Sequence, residues 1–268
     1  MTYASATPPS PGEDLRLATV FGVLGAIAVA LLFPYLLATM PATLEAAMAK
    51  TGTTLPVLVV AQAAQGLVLV GLLAYVGLRV GHRVGLGAPW LRALVMRRPR
   101  PRQAWLRAAA LGAAAGVAIL GLAPLFDAAM PATLQATPTP GAARASLAGL
   151  LASFYGGIAE EVMLRLFLMT LATWLLARLA GRPKPAVLWA AIVLAALLFG
   201  AGHLPAAAKI WPLDAVVVAR TLLLNGVGGI VFGWLYWRQG FESAVVAHFS
   251  ADLVLHVAAP LLLLASLA

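Results

Sequence analysis

Residues 146–179, SLAGLLASFYGGIAEEVMLRLFLMTLATWLLARL, form one apolar run interrupted by four charged side chains, Glu160, Glu161, Arg165 and Arg178. A helix rises about 1.5 Å per residue and needs about 20 apolar residues to cross roughly 30 Å of hydrocarbon, so this run is long enough to span a bilayer. Arg178 sits near its end, where a charge reaches the headgroups, whereas Glu160, Glu161 and Arg165 lie deep. A charge at the centre of a span costs about 2.5–3.5 kcal/mol on insertion scales, and such residues usually face the bundle interior and mark a functional path. The stretch therefore predicts a membrane helix whose inner face carries chemistry.

The rest of the chain agrees. Of 268 residues, 62% are hydrophobic and 10% charged, against about 25% charged in an ordinary soluble domain. Further apolar blocks cover about residues 15–38, 55–80, 104–126, 186–204 and 214–237, and a last one begins near Ser243. The fold class is all-α, a polytopic membrane helical bundle of about seven to eight transmembrane helices, the count depending on whether Pro260 divides the last block. Residues 1–14 read as a short cytoplasmic tail and 15–268 as a single transmembrane domain with its motif-bearing core at about 146–256. MTYASATPPS lacks the basic start of a signal peptide, and with no cysteine there are no disulfides or thiolate metal sites.

The net charge of +9 would suit nucleic acid, but the basic residues lie in short loops rather than on an aromatic-interleaved surface, so nucleic acid is not an expected partner. Eight arginines crowd the stretch from Arg79 to Arg107, and the positive-inside rule makes that loop cytoplasmic. Thirteen Lys/Arg then fall at inner positions and three (Lys50, Arg144, Lys209) at outer ones. The N-terminus is inside and the TLQATPTPG connection outside.

Three groups of residues do not belong in lipid. In EEVMLR, Glu161 and Arg165 are i,i+4 and predicted to pair, while Glu160 projects about 100° away and stays available. In FGAGH, Phe199 and His203 share a face beside glycines that allow close backbone approach. In HFSAD, His248 and Asp252 share a face, so Asp252 is expected to fix the tautomer of His248. Among weaker candidates, His82 reads as solvated in the arginine loop and His256 as facing the same interior as His248. Arg220 and Asn225 either line the cavity or carry a structural hydrogen bond. Gly226, Gly228, Gly229 and Gly233 read as a packing face, and Trp211, Trp234, Tyr236 and Trp237 as interfacial anchors.

In that order along the chain, EEVMLR, FGAGH and HFSAD resemble the CPBP family of intramembrane proteases, also called the CAAX-protease or Abi family. The resemblance covers roughly residues 150–256. It implies a helical bundle that hydrolyses peptide bonds of a membrane protein or lipidated peptide. Glu160 would activate water, His203 and His248 would position that water or a metal and stabilise the oxyanion, and Glu161 with Arg165 would support the helix. Asp252 stands where many relatives carry Asn. Glu160, His203 and His248 with a water also make an acceptable Zn²⁺ shell, and a metal-free mechanism would use the same residues. The alternatives are a proton-coupled transporter and a non-catalytic membrane scaffold or immunity factor. The Ala/Arg/Gly-rich composition points to a bacterial inner membrane.

Overall fold

The computed structural model describes residues 9–134 and 141–265. Most of the expected tail, and positions 135–140 of the TLQATPTPG connection, lie outside the described residues. Among the described residues, seven helices are long and apolar enough to cross a membrane: Pro11–Thr39, Leu55–Gly81, Trp105–Asp127, Ala142–Ala180, Pro185–Ala207, Ala215–Gln239 and Phe241–Leu262. They are called spans 1 to 7. Among the described residues there is no strand. Pro260 does not divide the last block, because the helix runs through it, and seven rather than eight spans result.

Span 1 starts at Pro11, four residues earlier than the expected start at about Leu15. Pro11 has no N–H to lose at the first helical position, and the Glu13 N–H donates to the Ser10 side chain at 3.2 Å. The early start carries Asp14 into the bundle, where it is fully buried. Its carboxylate receives Arg79 at 3.1 Å and His82 at 2.9 Å and also pairs with Arg92, while Glu13 pairs with Arg98. The arginine-rich loop is thereby tied to the start of span 1. His82 is a partner of Asp14 and not the solvated loop residue expected, because a buried carboxylate needs compensating donors.

Span 4 is central, packed against spans 1, 2, 5 and 7. Large apolar side chains such as Val68, Leu72, Leu106 and Val193 point away from the bundle, where a bilayer would cover them. Within it, helices approach through small residues, as membrane bundles require. A Cβ on Gly112 of span 3 would lie 1.9 Å from the carbonyl oxygen of Ala247 in span 7. That contact seats the helix turn carrying His248.

The expected glycine face of span 6 holds in part. Gly229 and Gly233 meet Ala196 and Ile192 of span 5, whereas nothing lies near a Cβ built on Gly226. Tyr236 is not an interfacial anchor: it is 1% exposed and shares a 2.7 Å hydrogen bond with Thr170, since a buried phenol needs a partner. Trp234 and Trp237 stack on Arg107 and Arg238 at the arginine-rich end.

Gly112→Val should lower the thermal midpoint of the purified protein by the equivalent of about 1–3 kcal/mol, the usual range for overpacking. Gly121→Ala, which has open space around it, should leave the midpoint unchanged. Equal midpoints would show that spans 3 and 7 are not in this close contact.

Candidate functional site

The acids of EEVMLR sit where span 4 leaves α-helical geometry. Tyr155–Glu160 and Val162–Met169 are π-helical, a rare widening of the turn that recurs at functional sites. The pair predicted from i,i+4 spacing forms all the same: Arg165 Nη1 lies 2.8 Å from Glu161 Oε1, with both residues fully buried. Arg165 also donates to the Gly229 carbonyl at 3.3 Å, and its guanidinium packs over the rings of Phe199 and Phe232 at 5.0 and 5.3 Å. Such cation–π contacts gain strength away from water.

Glu161 has a second task that local spacing did not reveal. The same Oε1 accepts from His248 Nδ1 at 2.8 Å. Because a carboxylate can only accept, the proton sits on Nδ1, and Nε2 is turned toward the remaining acids. Glu161, and not Asp252, therefore fixes the tautomer. Asp252 Oδ1 lies 3.7 Å from Nε2, on the other side of the ring, because a span 7 residue one turn away cannot reach Nδ1 while span 4 occupies that side.

Glu160 Oε2 is 3.8 Å from the same Nε2. Both separations exceed a hydrogen bond and suit one bridging water. Gly156 leaves the room: a Cβ there would stand 2.5 Å from Asp252 Oδ2 and 3.0 Å from His248 Nε2. The imidazole itself is stacked on Phe232, with ring centres 4.6 Å apart.

His203 joins through Phe199. Its Nδ1 donates to the Phe199 carbonyl at 2.9 Å, leaving Nε2 directed elsewhere, and the Phe199 ring stands edge-on to both imidazoles at 4.8 and 5.7 Å. Simple counting along alternating spans puts the two histidines at different depths. Phe199, one turn from His203, bridges the difference. His203 makes no ion pair with Glu160 among the described residues, and no group of three His, Asp or Glu side chains there is arranged to hold a metal ion. Glu160, His203 and His248 thus share a cavity without forming a preassembled ligand shell.

That cavity, of about 610 Å³, is lined by Glu160, His203, His248 and Asp252 and also by Arg220, Asn225 and His256. It reaches Thr39, Met40, Ile210 and Trp211, at the end of the bundle opposite the arginine-rich loop. Tyr35, Tyr155, Gly156 and Phe232 line it too and were not anticipated. Only the glycine pair Gly156-Gly157, just before the acids, gave any hint in the sequence.

Residues 142–254 match the family model described as type II CAAX prenyl endopeptidase Rce1-like, which supports the resemblance drawn from the three motifs. Neither a curated protein nor a solved structure gives a match.

The two adjacent acids should separate in stability. Glu161→Gln leaves Arg165 buried without its counter-ion and should cost about 3–5 kcal/mol, read as a lowered thermal midpoint in detergent. Glu160→Gln, at a partly exposed position facing the cavity, should shift the midpoint little. The reverse order would assign the structural pair to the wrong acid.

Proposed function

We propose that this chain is an intramembrane endopeptidase in which Glu160 is the general base, a reading supported by the match of residues 142–254 to the type II CAAX prenyl endopeptidase Rce1-like family model. The family supports a CAAX-protease-type enzyme acting on membrane-associated peptides. The observation that carries the residue-level reading is the contrast between neighbours. Glu161 is consumed by Arg165 and His248, while Glu160 lines the cavity and, among the described residues, has no ion pair shorter than its 3.8 Å approach to His248.

A water held between Glu160 Oε2 and His248 Nε2 loses a proton to Glu160 as its oxygen attacks the substrate carbonyl carbon. The tetrahedral intermediate carries the charge on the former carbonyl oxygen. His203, with Nδ1 committed to Phe199, turns Nε2 to that oxygen and stabilises it by hydrogen bonding. Collapse breaks the C–N bond, and Glu160 returns its proton to the leaving amine. His248 stays in register because Glu161 and Phe232 hold its ring, and Arg165 holds Glu161 in place. Asp252, an acceptor, helps orient the water and does not bind the oxyanion.

The chain's own acids and imidazoles account for each of these steps, and none is routed through a metal. Zinc, if bound, would supply Lewis-acid activation of the water, with Glu160, His203 and His248 as its ligands; the spread of these residues favours the glutamate-dependent form. We place the protein in a bacterial inner membrane from its Ala/Arg/Gly-rich composition, with its N-terminus and arginine-rich loop cytoplasmic from the bias of basic residues. The seven apolar helices support a multi-pass membrane protein.

Glu160→Gln should reduce cleavage of a membrane-inserted peptide by about 10²-fold or more, the range for a lost general base. His203→Ala should do likewise, with both variants folded by thermal unfolding. EDTA should leave wild-type cleavage intact. Full activity in Glu160→Gln would remove the assignment.

A further inference from the structure

The cavity has a floor and a mouth, at opposite ends of the bundle. Toward the arginine-rich end the packing is closed. Leu166, Met169, Leu235 and Tyr236 are no more than 1% exposed, and the Tyr236–Thr170 hydrogen bond lies among them. The arginine-rich loop completes this floor: the Phe241 N–H donates to the Gly87 carbonyl at 3.0 Å, and the Leu91 N–H donates to Glu242 Oε1 at 2.7 Å. His248 follows Phe241 by seven residues on span 7, about 10 Å above that sealed start.

The mouth lies where outward-running helices end. Thr39 and Met40 finish span 1, Ile210 and Trp211 follow span 5, and all four line the cavity. Leu134, in the connection after span 3, donates its N–H to the Ile210 carbonyl at 2.7 Å. Spans 1, 3 and 5 all start on the side that carries thirteen Lys/Arg residues, against three on the side where they end. The positive-inside rule makes the crowded side cytoplasmic, so the mouth faces the other way. Only an inversion of the whole bundle would turn it inward, and that would carry the basic residues across the membrane.

Resting on the endopeptidase reading above, we infer that the site is supplied from the extracytoplasmic face and that its substrates are apolar peptide segments at the outer flank of membrane-spanning proteins. Leu32, Tyr35, Ile119, Leu224 and Leu255 line the walls around Glu160 and His248 and suit apolar side chains. The water consumed in the hydrolysis enters by the same route, and the outward fragment leaves by it. A peptide on the cytoplasmic side meets the floor and the loop that seals it.

The chain has no cysteine, so single cysteines report access without background. Asn225→Cys and Ile119→Cys place a thiol in the cavity from spans 6 and 3; Asn225 spends its amide donor on the Thr221 carbonyl of its own helix, which makes it a mild replacement. Lys209→Cys marks the outer side and Arg97→Cys the arginine-rich loop. Each full-length variant is treated with a small, charged, membrane-impermeant thiosulfonate in right-side-out and in inside-out inner-membrane vesicles, with labelling after unfolding in SDS as the total, since a thiol reacts only where the reagent and water reach it. Both cavity cysteines should label from the outside, as Lys209→Cys does, with complete loss of label from the inside, and Arg97→Cys should show the reverse. A cavity cysteine that labels from the inside, cavity cysteines that label from neither face, or an Arg97→Cys that labels from the outside overturns the inference. Two reporters then carry one apolar peptide at the outer or the inner flank of a single span. Wild-type chain should cut the outer one alone, and cutting of the inner one also overturns the inference. If neither is cut while the cavity cysteines label from the outside, the route of entry stands and the endopeptidase reading fails.

Discussion

Everything in the site depends on one carboxylate oxygen, Glu161 Oε1, which lies 2.8 Å from both Arg165 and His248. In an apolar interior an isolated charge is too costly to keep. The oxygen is kept because a guanidinium on its own helix neutralises it, and the pair then has capacity to order an imidazole on another span. Fixing Nδ1 of His248 turns Nε2 toward Glu160 and Asp252, where the proposed mechanism puts its water. The aromatic rings of Phe199 and Phe232 complete the arrangement by covering Arg165 and holding the imidazoles.

The second constraint is close helix approach. Lipid gives helices no hydrophobic reason to associate, so packing and internal polar contacts must hold them. Gly112 lets span 3 reach the backbone of Ala247, beside His248, and Gly156 keeps side-chain atoms out of the space between Asp252 and His248. At the arginine-rich end, buried Asp14 gathers Arg79, His82 and Arg92. Charge is thus handled differently at the two ends: Asp14 is compensated at the arginine-rich end, whereas Arg220 and Glu160 line the cavity without an ion pair within 3.7 Å among the described residues.

The sequence by itself determined the class, the spans and the chemical inventory. Apolar runs of spanning length admit no soluble fold, and the expense of burying Glu160, Glu161, Arg165, His248 and Asp252 marks them out before any contact is known. Local spacing was also enough for the Glu161–Arg165 pair, because i,i+4 neighbours meet on any such helix. Only the tertiary structure decided which acid orders His248, that Phe199 joins two histidines at different depths, and that Arg220 shares their cavity. Those are contacts between spans, set by helix tilt, by the π-helical turns of span 4 and by how closely glycines let backbones come, and a pattern read along one helix carries no information about the face of another.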